Sequence, residues 1–103
     1  MTILVAAVRM YTLTSQISDV EYMIMGLEYQ REKYTSQIQD LYSQEDYDDK
    51  AMEKLKLADD IIEQKLEKYQ TLYEEYDTEY DSVKKLLENN IKDDFKFYSG
   101  SGS

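Results

Sequence analysis

The sequence predicts an all-α fold, an antiparallel two-helix coiled-coil hairpin. Three observations carry that expectation: the chain has no proline, two of its three glycines lie in the last four residues, and its apolar residues recur at alternating steps of three and four. At 103 residues the chain suits a single domain, expected to cover residues 1–98, with residues 99–103 as a flexible Ser-Gly tail or linker.

The first helix is predicted over residues 3–43. Met10, Leu13, Ile17, Val20, Ile24, Leu27, Arg31, Tyr34, Ile38 and Leu41 form an unbroken heptad seam with one charged member. Arg31 is expected either to set register by pairing with an acid such as Glu67 or Glu74 on the opposing helix, or to extend its charged end to water. A second apolar line, including Met23 and Tyr42, widens the stripe, as for a helix touched from more than one side. Gly26 lies inside this helix, where it either marks a helix crossing or is simply tolerated.

The seam stops near Ser43. Residues 44–49 are polar and aspartate-rich, which predicts the hairpin turn, with Asp48 or Asp49 capping the next helix at the positive end of its dipole. The second helix is predicted over residues 50–92. Its seam reads Leu55, Ala58, Ile62, Leu66, Tyr69, Tyr73, Tyr76, Tyr80, Val83, Leu87 and Ile91, with one extra four-residue step near Leu66, a stutter. Two helices of about forty residues would each be roughly 60 Å long at about 1.5 Å per residue, and a short turn makes them antiparallel, so a rod is expected. Beyond Asn89 and Asn90 the spacing weakens, and Phe95, Phe97 and Tyr98 are left to fray, to extend the helix or to dock on a neighbour.

The formal net charge of -10 speaks against nucleic acid as a partner, since no surplus of basic residues is there to displace counterions from phosphates. With neither cysteine nor histidine, disulfides, thiol chemistry and the commonest general base are absent. No cofactor and no metal are expected. Asp46, Tyr47 and Asp48 resemble the start of a calcium loop, but Ala51 stands where that loop needs glycine and Leu57 where it needs a bidentate Glu. Asp59, Asp60 and Glu63 could be set beside Asp19, Glu21 or Glu28 as a carboxylate cluster, yet the Glu-x-x-His element of such sites is missing, and a solvated face explains them. The tyrosine ladder Tyr69, Tyr73, Tyr76 and Tyr80 has seam spacing and is read as packing rather than electron transfer. No nucleophile and base pair or phosphate loop is visible, so the chain is not expected to be an enzyme.

The first residues, Met1 to Val8, are apolar but lack a preceding basic region and meet Arg9 early, so they are read as mature protein rather than a cleaved signal. Roughly ten residues are also about half of what an integral membrane segment requires. From residue 3 to 13 apolar side chains fall on nearly every face and Arg9 is the single charge, the pattern of a helix enclosed by neighbours. An assembly interface is therefore expected at Ile3, Leu4, Val5, Val8, Tyr11, Leu13, Met23 and Leu27. Charge is distributed to match: residues 1–44 hold five acids and three bases, residues 45–103 seventeen and nine, so the second half can form a charged sheath. Eleven tyrosines without tryptophan suit contacts with a wet rim.

Arg9-Met10-Tyr11-Thr12-Leu13-Thr14, then Ser18-Asp19-Val20-Glu21 and Gln30-Arg31, resembles the opening of a group of small bacterial coiled-coil proteins with an R-x-x-x-L-T…S-D-x-E pattern, over about a quarter of the chain. In architecture the chain is similar to type III secretion needle and flagellar axial subunits, helical hairpins that polymerise through apolar terminal helices, although their proline-containing turn is absent. It is also similar in size to small secreted hairpins with a Trp-x-Gly turn. Tyr73-Glu74-Glu75-Tyr76-Asp77 fits their loose Y-x-x-x-D/E export signal, but the Trp-x-Gly itself is missing.

The all-round apolar start joined to an acidic second half points to a structural protein that self-assembles into a helical filament or other large homo-oligomer, with further copies of itself as partners. The resemblances imply a bacterial origin, with proteins of a secretion machine as further partners. They imply export to the cell surface without a cleaved signal, the cytoplasm being the other compartment. The competing reading is a soluble coiled-coil adaptor or chaperone-like protein whose apolar start docks on a secretion or envelope component.

Overall fold

The computed structural model describes residues 2–100, and the side chains of residues 2–96; Met1 and residues 101–103 of the expected tail lie outside the described residues. Two helices make up the fold, α1 (Ile3–Tyr42) and α2 (Asp49–Gly100), so the chain is all-α. By contact the chain divides into two compact units, Met1–Asp19 with Tyr73–Ser103, and Val20–Leu72. In each, a stretch of α1 lies antiparallel to, and in contact with, a stretch of α2. Each unit also has its own apolar cluster rather than a share in one deep core. Two paired helices enclose only a seam, one side chain deep on each helix.

The helix boundaries follow from local chemistry. Thr2 caps α1: its Oγ1 accepts a hydrogen bond from the Val5 N–H at 3.2 Å, and its carbonyl accepts from Ala6 at 2.9 Å. At the other end the Ser43 hydroxyl donates to the Asp40 carbonyl at 2.7 Å, which satisfies one of the last acceptors of the helix. Asp48 caps α2, with Oδ1 accepting from the Lys50 N–H at 2.9 Å and its carbonyl from Met52 at 3.0 Å. Across the turn the rings of Tyr42 and Tyr47 stack with centroids 5.5 Å apart. α2 continues to Gly100, past the end near residue 92 that the weakening pattern predicted, and it includes Ser99 and Gly100 of the expected tail. Residues 92–99 contain neither proline nor glycine, so nothing in the backbone interrupts the hydrogen-bond ladder there.

In the first unit Ala6 and Leu13 have no exposed surface and Val83 is buried; Met10, Tyr76, Tyr80 and Leu87 pack against them. Ile17 and Tyr73 are half-buried. In the second unit the cluster is Leu27, Ile62 and Leu66, covered by Ile24, Tyr34 and Tyr69. Val20 and Met52 are also buried, while Ile38, Leu41 and Leu55 are half-buried.

Ala6 and Met52 were missed as core. Ala6 lies seven residues before Leu13 and so extends the α1 seam back to Ile3; its small side chain hid it among apolar neighbours. Met52 corrects the α2 seam. From it the line runs Met52, Leu55, Asp59, Ile62, Leu66, Tyr69 in unbroken steps of three and four, and the stutter disappears. The expected slip came from assigning Ala58 to a position that Asp59 holds. Further along, Asn90 rather than Ile91 continues the line from Leu87: Asn90 is half-buried and Ile91 is exposed.

Candidate assembly surface

In the first unit the start of α1 divides its side chains between two sides. Ile3, Ala6, Met10 and Leu13 follow the seam, with Ile3 and Met10 half-buried. Leu4, Val8 and Tyr11, spaced at i, i+4 and i+7, share the opposite side and are 74%, 58% and 80% exposed, with Val5 beside them at 53%. Apolar residues thus surround this part of the helix, but one side of them is covered.

The only charge in residues 3–13 is taken up within the unit: the Arg9 guanidinium forms a hydrogen-bonded ion pair with Glu79 of α2. The Leu4–Val8–Tyr11 side therefore carries no charged group of its own. Thr12 and Thr14 add no open donors, since their hydroxyls donate back to the carbonyls of Val8 and Met10 at 3.1 and 2.9 Å. At the helix start the patch borders a shallow cavity of about 460 Å³ with an acidic rim formed by Asp93 and Asp94. α2 exposes apolar residues here too, at Leu86, Ile91 and Phe95, but these stand among Lys84, Lys85, Glu88, Lys92 and Lys96.

In the second unit the outer side of α1 shows Tyr22, Met25 and Tyr29 exposed at 78%, 67% and 60%, again at helical spacing, with Met23 at 43%. Gly26 lies among them beside a depression of about 180 Å³ that Tyr22, Met23 and Gln30 help to line. A Cβ placed on Gly26 would meet nothing within 4 Å, so no close helix crossing inside the hairpin requires glycine there. The Lys33 ammonium lies 4.9 Å from the Tyr29 ring centroid, a cation–π contact at the edge of this group.

Of the residues expected at an assembly interface, Leu4, Val5, Val8, Tyr11 and Met23 are exposed and Ile3 is half-buried. Leu13 is corrected: it has no exposed surface and is buried in its α1–α2 cluster, where its heptad spacing puts it; Leu27 is buried in the other cluster, but at 9% exposure it still helps to line the depression beside Gly26. Arg31 pairs with neither Glu67 nor Glu74. Its Nε lies 3.3 Å from Asp59 Oδ1 and its Nη2 3.7 Å from Glu63 Oε2, which also places those two acids beside a guanidinium. The ion pair of Arg9 with Glu79 was not foreseen; its signal is two opposite charges that an antiparallel register brings level.

The features above define a coiled-coil-like helical hairpin with an uncovered apolar side on α1. Comparison of the chain with protein-family models, curated proteins and solved structures finds no significant match. Among the described residues, no helix is long and apolar enough to cross a membrane.

Proposed function

We propose that this chain is a structural subunit that self-assembles, as a helical filament or another large homo-oligomer, through the outer side of the first turns of α1. The observation that carries the reading is the patch of Leu4, Val5, Val8 and Tyr11, apolar and exposed on a helix whose one nearby charge is spent on Glu79. Contiguous exposed apolar surface of this kind favours association, because covering it removes hydrocarbon from water at about 25 cal/mol per Å². The acidic excess in residues 45–103 gives the assembly its direction: α1 is the side on which two copies meet least repulsion.

The architectural likeness to needle and axial subunits supports a filament, and with it a bacterial cell-surface setting. The test is sedimentation velocity and negative-stain electron microscopy of the purified chain at physiological salt, beside L4E/V8E. Large regular particles that this double substitution dissolves into folded monomers are expected. A natural chain that stays monomeric and fully helical at high concentration would overturn the reading and leave the patch to a different protein, as in an adaptor.

A further inference from the structure

We infer that Arg31 and Asp59 form a register lock, which admits one α1–α2 alignment in the second unit and rejects its heptad-shifted alternatives. Independently of the assembly reading, the inference rests on where the charges stand. In this unit the α1 seam is Val20, Ile24, Leu27, Arg31, Tyr34, Ile38 and Leu41, and the α2 seam is Met52, Leu55, Asp59, Ile62, Leu66 and Tyr69. Each line contains a single charge, the two are opposite in sign, and they meet at 3.3 Å.

Both helices repeat every seven residues, so apolar contacts alone discriminate weakly between alignments one heptad apart. The short turn does not forbid such a slip, because it displaces the reversal point by only about half a heptad, toward Asp48 in one direction and toward Leu41 in the other. The charges do discriminate. One slip sets Arg31 against Met52 and Asp59 against Ile24; the other sets Arg31 against Leu66 and Asp59 against Ile38. Either parts the Arg31–Asp59 pair and sets each of the two charges level with a hydrocarbon side chain of the opposing seam. Pairing α1 with α1, or α2 with α2, fails similarly, by bringing like charges together or stranding them among apolar residues.

Asp59 makes the penalty specific. Its Oδ1 is shut off from water and receives no hydrogen bond of good geometry, so the nearby Arg31 guanidinium is what faces that oxygen, while the side chain as a whole stays 22% exposed. Glu63 adds a second, looser anchor at 3.7 Å. Polar seam residues of this kind characteristically exchange some stability for a unique alignment.

The experiment is a distance measurement between spin labels on K33C and K56C, the chain having no cysteine of its own, diluted into unlabelled protein so that only intramolecular distances register. The natural seam should give one distance population. R31L/D59L, which keeps an apolar seam and so remains folded, should add populations at longer distance, because a slide of about 10 Å along the axis, one heptad at about 1.5 Å per residue, adds in quadrature to the separation across the pair. Singly, R31D and D59R should each weaken folding about tenfold or more, and R31D/D59R should recover most of that loss together with the single distance. The lock is refuted if R31L/D59L shows the natural distribution unchanged, or if the reversed pair is no better than the single reversals.

Discussion

Tyr11 and Leu13 stand two residues apart on α1 and face opposite ways: Leu13 has no exposed surface, while Tyr11 is 80% exposed. Neighbouring large side chains in one apolar segment thus serve different ends, one holding α1 to α2 within the first unit and the other left for a contact beyond it. Their substitutions should separate folding from association.

Leu13→Ala should destabilise the hairpin by about 2–5 kcal/mol, the range for removing a fully buried leucine, since Ala6 and Val83 can collapse only partly into the space. Urea unfolding followed by circular dichroism measures it. A loss below about 0.5 kcal/mol, the usual scale of a surface change, would mean that the Leu13 cluster does not hold the first unit together.

At a concentration low enough for the natural chain to be monomeric, Leu4→Glu with Val8→Glu should leave the unfolding free energy within about 0.5 kcal/mol of the natural value. α1 has no acid in its first turn, so a glutamate at residue 4 gains from the helix dipole what it loses by standing near Asp93 and Asp94. Light scattering should nevertheless show the association gone. If scattering is unchanged, the Leu4 side is not where copies meet.

Salt should strengthen self-association. With a net charge of -10, copies repel at long range, and the screening length falls from about 30 Å at about 0.01 M salt to about 8 Å at about 0.15 M. The midpoint concentration for assembly should therefore fall as sodium chloride rises over that span. A rise instead would point to ion pairs rather than apolar contact between copies.

The α1 seam was legible from spacing alone because its positions are nearly all large and apolar, so period and burial coincide from Met10 to Leu41. On α2 the same reasoning slipped where chemistry and position disagree. Asp59 is a charged residue on a seam and Ala58 an apolar one beside it, and a reading that looks for hydrocarbon chooses the wrong one. Apolar spacing likewise does not say which side of an all-round apolar helix stays open. Leu13 stands on the heptad seam and Leu4 off it, yet only the position of α2 shows that the Leu4 side stays open.

The Tyr42–Tyr47 stack should keep the turn ordered, since it joins the last residue of α1 to the segment before the Asp48 cap. Tyr42→Ala should cost about 0.5–1.5 kcal/mol, the value of an aromatic pair. Hydrogen exchange of the amides in residues 43–50 should quicken in parallel, with the Leu27 and Leu66 region unaffected. Equal quickening along both helices would show the stack acting on global stability instead.

Gly26→Ala should stabilise the hairpin. Glycine inside a helix costs up to about 1 kcal/mol relative to alanine, because it forfeits more backbone freedom on folding. Here that cost has no offset within the hairpin, since a Cβ would point into open space. The thermal midpoint should therefore rise, and the far-ultraviolet helical signal should be unchanged or slightly larger. A fall would reveal a close neighbour on the side of Tyr22, Met25 and Tyr29, a contact made only when copies come together. Repeating the melt at high and low protein concentration separates the cases: an intrinsic gain appears at both, whereas an obstructed contact lowers the midpoint only where the natural chain is assembled.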